Sequence, residues 1–261
     1  MNDDRNFLKG ETILITGGGT GIGREMALAF AERGAELIIA SRKEDHLQPT
    51  AEEIRSRGAK VLATTVDIRD AESVNSMVEK AVKIFGKINV LINNAGANFL
   101  CPALQITPNG WRSVVETVLT GTFFCSQAVA RVMIENGGGK IIINAGSNGV
   151  NGSPLMAHSG AAKAGIINLT QTLAVEWAPF KIIVNAVAPG PIRTQGADER
   201  LWAHDKSIQE LSRQIPLQRF GSPEEVVGPI LFLLSPAANY MTGSIITIDG
   251  GDLCRHLPKL L

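Results

Sequence analysis

The sequence predicts an α/β fold, one doubly wound parallel sheet of about seven strands flanked by helices. Three observations predict it. Short β-branched runs alternate with longer amphipathic stretches from end to end. The first six runs are almost continuously apolar, as parallel strands covered on both faces require. The first run leads through a glycine-rich turn straight into a helical pattern. No linker-like or low-complexity segment breaks the alternation, so residues 1–261 are expected to form a single domain.

In order, the predicted strands are ETILIT (11–16), ELIIAS (36–41), KVLATTV (60–66), INVLIN (88–93), KIIINA (140–145), KIIVNAV (181–187) and SIITI (244–248). Helical patterns fall near 21–33, 45–57, 71–85, 108–135, 158–178 and 223–234. Thr107-Pro108 and Ser222-Pro223 each put a capping oxygen before a proline at the first helical position, and Glu225 completes a capping box with Ser222. Segment 190–222 is too long for an ordinary strand-to-helix connection. It follows a strand's carboxyl end, where open α/β sheets bind ligands, and is the predicted substrate loop. Residues 195–215 within it are expected to act as a lid that orders on substrate.

Hydrophobic residues make up 44% and charged residues 19%, enough for a sizeable core. A net charge of zero and a pI near 6.9 provide no electrostatic grip on nucleic acid or membrane. Cys101, Cys125 and Cys254 form no CxxC pair, and no signal-peptide pattern opens the chain, which points to a reducing cytoplasm. The apolar runs look too short for a bilayer. Four histidines without ligand spacing predict no metal site. The closing Lys-Leu-Leu, a near miss to a Ser-Lys-Leu address, reads as a plain tail.

The turn TGGGTGIG (16–23) carries the first chemistry. Gly17, Gly21 and Gly23 let the backbone turn tightly and approach a pyrophosphate at the helix N-terminus, with Gly19, Thr20 and Ile22 in the same turn. A strand before and a helix after make this a Rossmann-type dinucleotide site rather than a plain glycine turn. The second strand ends at Ser41-Arg42, where an NAD site tends to place a carboxylate. Ser41 removes the repelling charge and Arg42 supplies a donor fork for a 2′-phosphate, so the expected cofactor is NADP (NADPH).

TGGGTGIG, NNAG (93–96), Ser147 at the end of the fifth strand, Lys163 and APGPIRT (188–194) resemble the short-chain dehydrogenase/reductase superfamily, in the expected order over nearly the whole chain. The resemblance implies that Asn93, Asn94, Ala95 and Gly96 pack beside the cofactor and that Asp67 and Ile68 flank the adenine. It places Lys163 on the nicotinamide ribose. Pro189, Gly190, Ile192 and Thr194 would line the nicotinamide and pyrophosphate. It also implies a homotetramer built partly through helices 108–135 and 158–178.

Two positions depart from that superfamily's Asn-Ser-Tyr-Lys set. The tyrosine is Ser159, in HSGAAKAG (158–165), and the asparagine is Val118. The chain's one tyrosine, Tyr240, lies far off in sequence. Reducing a ketone makes an alkoxide that needs a nearby acid, and a serine hydroxyl is a poor one. Reducing an alkene conjugated to a thioester instead gathers charge on the thioester oxygen, which needs hydrogen-bond donors while carbon takes its proton from water. The departures point to the second reaction.

NNAGANFLCP (93–102), VLTGTFFCSQA (118–128), HSGAAKAG and PGPIRTQGA (189–197) resemble the 2,4-dienoyl-CoA and trans-2-enoyl-CoA reductase branch, which also carries serine at the tyrosine position. That resemblance implies Asn98 as a donor to the thioester oxygen, with Ser159, Lys163 and Ser147 completing the catalytic set. Phe99, Thr107, Asn148 and His158 fall on the substrate side. Dienoyl-CoA reductases bring a replacement tyrosine fifteen residues before the lysine. Here that residue is Asn148, a donor but not an acid, which favours simple enoyl over dienoyl reduction. Two other readings stay open. One is a carbonyl reductase using Ser147, His158 or water as its proton path. The other is a weakly active NADP-binding protein. Bland roles remain too: Asn98 as a turn residue, His158 as a helix-start residue, Ser147 as a local cap and Phe99 as apolar lining.

Overall fold

In the computed structural model, residues 6–194, 196–197 and 205–254 are described. Strands β1 (Thr12–Thr16), β2 (Glu36–Ser41), β3 (Val61–Thr65), β4 (Val90–Asn93), β5 (Gly139–Asn144), β6 (Ile182–Pro189) and β7 (Ile245–Ile248) form one seven-stranded sheet ordered β3-β2-β1-β4-β5-β6-β7. Every pairing is parallel. The strand order reverses between β1 and β4, which opens a crevice at their carboxyl ends.

Helices α1 (Gly21–Ala31), α2 (Gln48–Ser56), α3 (Ala71–Phe85), α4 (Pro108–Val115), α5 (Gly121–Glu135), α6 (Ala157–Trp177), α7 (Asp205–Gln214) and α8 (Pro223–Leu234) connect the strands. Alternate strand residues point to opposite faces, so β1 serves two cores. Leu14 joins Met77 of α3, Val129 of α5 and Ile166 of α6. Ile13 and Ile15 join Phe30 of α1, Ile54 of α2 and Ile230 of α8.

Several expected boundaries change. The helix expected over 108–135 is interrupted by a π-helical turn, Glu116–Thr120. Thr117 and Thr122 donate their hydroxyls to the carbonyls four residues back, Ser113 and Val118, at 2.7 Å each, and so compete for the helical ladder. This run has the length and apolarity of a membrane span, contrary to the expectation that no run is long enough. Its most apolar window is nevertheless 56% buried inside the fold. The pattern at 45–57 splits into a 3-10 turn, Glu44–His46, and α2. Segment 190–222 carries α7, and part of the expected lid, residue 195 and residues 198–204, lies outside the described residues. Both predicted caps form. Thr107 accepts the Gly110 N–H at 3.1 Å, and Glu225 accepts the Ser222 N–H at 2.9 Å.

Candidate active site

The glycine turn closes over the carboxyl end of β1, where the Gly17 N–H donates to Ala40 O at 2.7 Å. Gly17 and Gly21 hold φ of 67° and 52°, which side chains other than glycine rarely adopt. A Cβ on Gly23 would stand 2.0 Å from the Gly17 carbonyl oxygen, and one on Gly19 would stand 2.1 Å from His46 O. Helix α1 starts here with no capping side chain and no acidic residue in its first turn. Its first N–H groups and positive dipole end are left for an anion, which fits a dinucleotide pyrophosphate. Thr20 is exposed at the turn, and Ile22 packs down on the core. Thr194 arrives from the substrate loop, its methyl 3.4 Å from the Cβ that Gly21 lacks.

At the far end of the crevice Ser41 is engaged by its own turn, donating to Lys43 O at 2.8 Å, while Arg42 stands exposed. Asp67 accepts from Arg69 Nε at 2.9 Å and from Nη2 at 2.5 Å. Those bonds, with a smaller contribution from Arg42, hold its carboxyl down at about 2. Ile68 fills the space that a side chain at Gly121 would need.

Between these ends runs a polar chain. Thr16 Oγ1 accepts the N–H groups of Asn94 and Ala95, both at 3.1 Å. Asn94 Nδ2 donates to Thr16 O at 3.3 Å, and Asn144 Nδ2 donates to Asn94 Oδ1 at 3.3 Å. Lys163 Nζ donates to Asn144 O. Gly96 is exposed beyond this chain, and Asn93 is buried, donating to Ser126 Oγ at 2.8 Å. Desolvation of partly buried Lys163 pulls its ammonium down to about 8, from an ordinary 10.5. Between those values the unfolded chain keeps a proton that the folded chain has released, so stability rises with pH there. Relative to Lys163→Met, wild type should therefore gain about 1–3 kcal/mol between pH 8 and 10.5 in denaturant melts. An unchanging difference would place the titration elsewhere.

The substrate side is set by the turn after β5. Gly146 has φ 65°, and Ser147–Gly149 form a 3-10 turn laid against α6. A Cβ on Gly149 would come 2.6 Å from the Lys163 carbonyl carbon. That close approach brings Asn148 Nδ2 to 3.0 Å from Ser159 Oγ. Ser159 is 3% exposed and His158 is fully buried, whereas Asn148 is only partly buried. Ser147 opens the turn, and its hydroxyl takes no hydrogen bond among the described residues.

The 98–101 loop is pinned to the same helix end. Asn98 Oδ1 accepts the Phe99 N–H at 2.9 Å, and its Nδ2 rests 3.4 Å from Met156 Sδ, a weak acceptor. The Phe99 and His158 rings meet edge to face, 4.3 Å between centroids. His158 Nδ1 accepts the Ser159 N–H at 2.8 Å, while Nε2 is buried with no partner among the described residues. Burial lowers the His158 pKa, partly offset by the Met156 backbone, and keeps the ring neutral. Thr107 is exposed and occupied as the α4 cap. Pro189 ends β6, the Gly190 N–H donates to Ile248 O at 2.9 Å, and Ile192 is buried.

Sequence reasoning missed Thr16, Asn144 and Met156. Asn144 stands three residues before Ser147 in KIIINAGS, so its proximity was available. Nothing local marks Met156.

A family model described as Enoyl-(Acyl carrier protein) reductase matches residues 7–252. A probable 2,4-dienoyl-CoA reductase of Bacillus subtilis is 42% identical over 250 residues, 95% of this chain and 98% of its own. A 2-dehydro-3-deoxy-D-gluconate 5-dehydrogenase of Dickeya dadantii is 37% identical over 249 residues, 95% of this chain and 97% of its own. The crystal structure of a short-chain type dehydrogenase/reductase from Mycobacterium marinum superposes with a TM-score of 0.91 at 39% identity, covering 96% of this chain and 98% of that one. The glycine turn and the reversed strand order thus sit in a chain that belongs to the short-chain dehydrogenase/reductase family of oxidoreductases.

Proposed function

We propose that this protein reduces the carbon–carbon double bond of an α,β-unsaturated acyl-CoA thioester, 2-enoyl or 2,4-dienoyl, with NADPH. The observation that carries the reading is the Asn148–Ser159 pair, in which the Asn148 amide donates to the Ser159 hydroxyl and neither group is an acid. NADPH, when bound, supplies hydride, and that transfer leaves negative charge on the thioester oxygen. The protein's own task is to hold that charge with fixed hydrogen-bond donors, of which Asn98 is the principal one, while water protonates carbon. Lys163 anchors the cofactor ribose rather than acidifying a phenol. The Bacillus subtilis relative supports the substrate class.

The test is a panel of NADPH with crotonyl-CoA, a longer 2-enoyl-CoA, a 2,4-dienoyl-CoA and several ketones. Loss of NADPH absorbance with the thioesters is expected, and loss with ketones alone would overturn the reading. A carbonyl oxidoreductase draws support from the Dickeya dadantii relative, but it needs a proton source. Buried His158, beside Ser159 in the chain, and partly buried Ser147 are the candidates for that source.

Cofactor choice is part of the proposal. With Arg42 exposed and no carboxylate at the end of β2, NADPH should bind more tightly than NADH. Arg42→Ala should remove that preference and leave NADH binding nearly unchanged in fluorescence titration. A wild type that prefers NADH would sink the assignment. We also propose a cytoplasmic homotetramer, supported by apolar side chains such as Val175 of α6 and Ile134 of α5 that the lone chain leaves exposed.

A further inference from the structure

We infer that Met156 is a reversible oxidation site, and that its oxidation by a peroxide switches the Asn98 donor off. This rests on the proposed enoyl reduction and on the role given there to Asn98. Filling gaps in a core is the ordinary use of methionine. Met77 and Met133 lie in one core, Met26 lies in the other, and Met241 packs against the second. Met156 belongs to neither core and is only partly buried, so a small oxidant can reach it. Its sulfur stands instead against the amide that the reaction needs, 3.4 Å from Asn98 Nδ2. A thioether accepts a hydrogen bond weakly, so in the reduced protein that amide stays available.

Oxidation moves one oxygen atom from the peroxide to Sδ. An S–O bond forms and the O–O bond breaks, the sulfur is oxidised, and the peroxide is reduced to water or an alcohol. The sulfoxide oxygen is polar and accepts far more strongly than the thioether. A turn about the Cγ–Sδ bond brings it onto the amide that already touches the sulfur. Both partners are held in place for this. Asn98 Oδ1 accepts the Phe99 N–H at 2.9 Å. The Met156 N–H donates to Ser153 O at 3.3 Å, and its carbonyl accepts the Gly160 N–H at 2.7 Å. The two loops are tied by a main-chain bond from the Cys101 N–H to Leu155 O at 2.9 Å. Leu155 holds φ 64°, which leucine rarely adopts, so the tie is kept at a cost in backbone strain. The oxidised side chain takes the proton meant for the thioester oxygen and sets a negative oxygen where charge must develop. A dithiol returns the sulfoxide to thioether, becoming a disulfide and releasing water, and the switch resets.

Hydrogen peroxide treatment of wild type and Met156→Leu, each compared with its own untreated protein, tests this. Peptide mass spectrometry should find one added oxygen on Met156. Wild-type kcat on crotonyl-CoA should then fall about ten- to hundredfold with KM nearly unchanged, as expected when a donor to developing charge is withdrawn. Dithiothreitol should not restore it, whereas methionine sulfoxide reductases of both stereospecificities should. Treated Met156→Leu should keep most of its turnover. A second readout needs neither turnover nor the variant. In the wild type the Asn98 side-chain amide resonance, identified by its loss in Asn98→Ala, should shift on oxidation and return on enzymatic reduction. Equal losses in the two proteins, full oxidation of Met156 with unchanged turnover, or an amide resonance that does not move would overturn the assignment. So would a loss that dithiothreitol alone reverses, since that belongs to partly buried Cys101 or exposed Cys254. Untreated wild type inert toward every enoyl thioester would overturn the proposed function instead, and the resonance would still decide whether oxidised Met156 captures Asn98.

Discussion

Asn98→Ala should cut turnover on an enoyl-CoA about a hundred- to thousand-fold while NADPH affinity holds, because removing one oxyanion donor typically costs ~2.7–4 kcal/mol in the transition state. The expectation rests on how this side chain is held. Its Oδ1 is committed to the Phe99 N–H, which fixes the plane of the amide. In the free protein Nδ2 rests against the Met156 sulfur, a contact that a charged oxygen easily outcompetes. Since the loop is also fastened by Phe99 on His158, the truncation should leave the neighbouring backbone in place. Ser159→Ala should lose only ~0.5–1.5 kcal/mol. Ser159→Tyr restores the usual acid's position and should raise any weak ketone reduction if the bulk is tolerated. Stopped-flow turnover separates these outcomes. A fully active Asn98→Ala beside an inactive Ser159→Ala would reverse the assignment.

Gly23→Ala should be the most damaging single methyl group in the chain's cofactor turn. The added carbon would stand 2.0 Å from Gly17 O and 2.8 Å from Asn94 Nδ2. The first neighbour is main chain, and the second belongs to the polar chain that ends at Lys163, so relief at one place disturbs the other. Overpacking of this kind typically costs about 1–3 kcal/mol, and the displaced turn should weaken NADPH binding by more than about tenfold. Gly228→Ala, on the exposed side of α8, is the natural control. A Cβ there would meet nothing within 4 Å and its φ needs no glycine, so melting temperature and NADPH affinity should stay near wild type. Equal effects from the two substitutions would mean that the close approach at Gly23 does not set the turn.

Local periodicity and composition carried the architecture. Six apolar runs and a glycine-rich turn are enough for a parallel sheet with a dinucleotide crevice, because strand burial and turn sterics act over a few residues. The helix at 108–135 was legible in length but not in shape. Its π-helical turn depends on hydroxyls of Thr117 and Thr122 choosing carbonyl partners, which hydrophobic spacing does not encode. The absence of the tyrosine was also plain in the sequence, since one residue type either stands at a position or does not.

What stands in its place belonged to the tertiary structure. Asn148 and Ser159 are eleven residues apart on different elements, and only the wedge of Gly149 against Lys163 brings them together. The chain from Thr16 through Asn94 and Asn144 to Lys163 likewise exists because the strand order seats β4 between β1 and β5. The sequence by itself determined the fold class, the glycine turn and the loss of the usual acid, each a property of contiguous residues. That the Asn148 amide meets the Ser159 hydroxyl, and that the hydroxyl is buried while the amide is only partly so, was decided by packing between distant segments, which close-packed interiors fix to a fraction of an ångström.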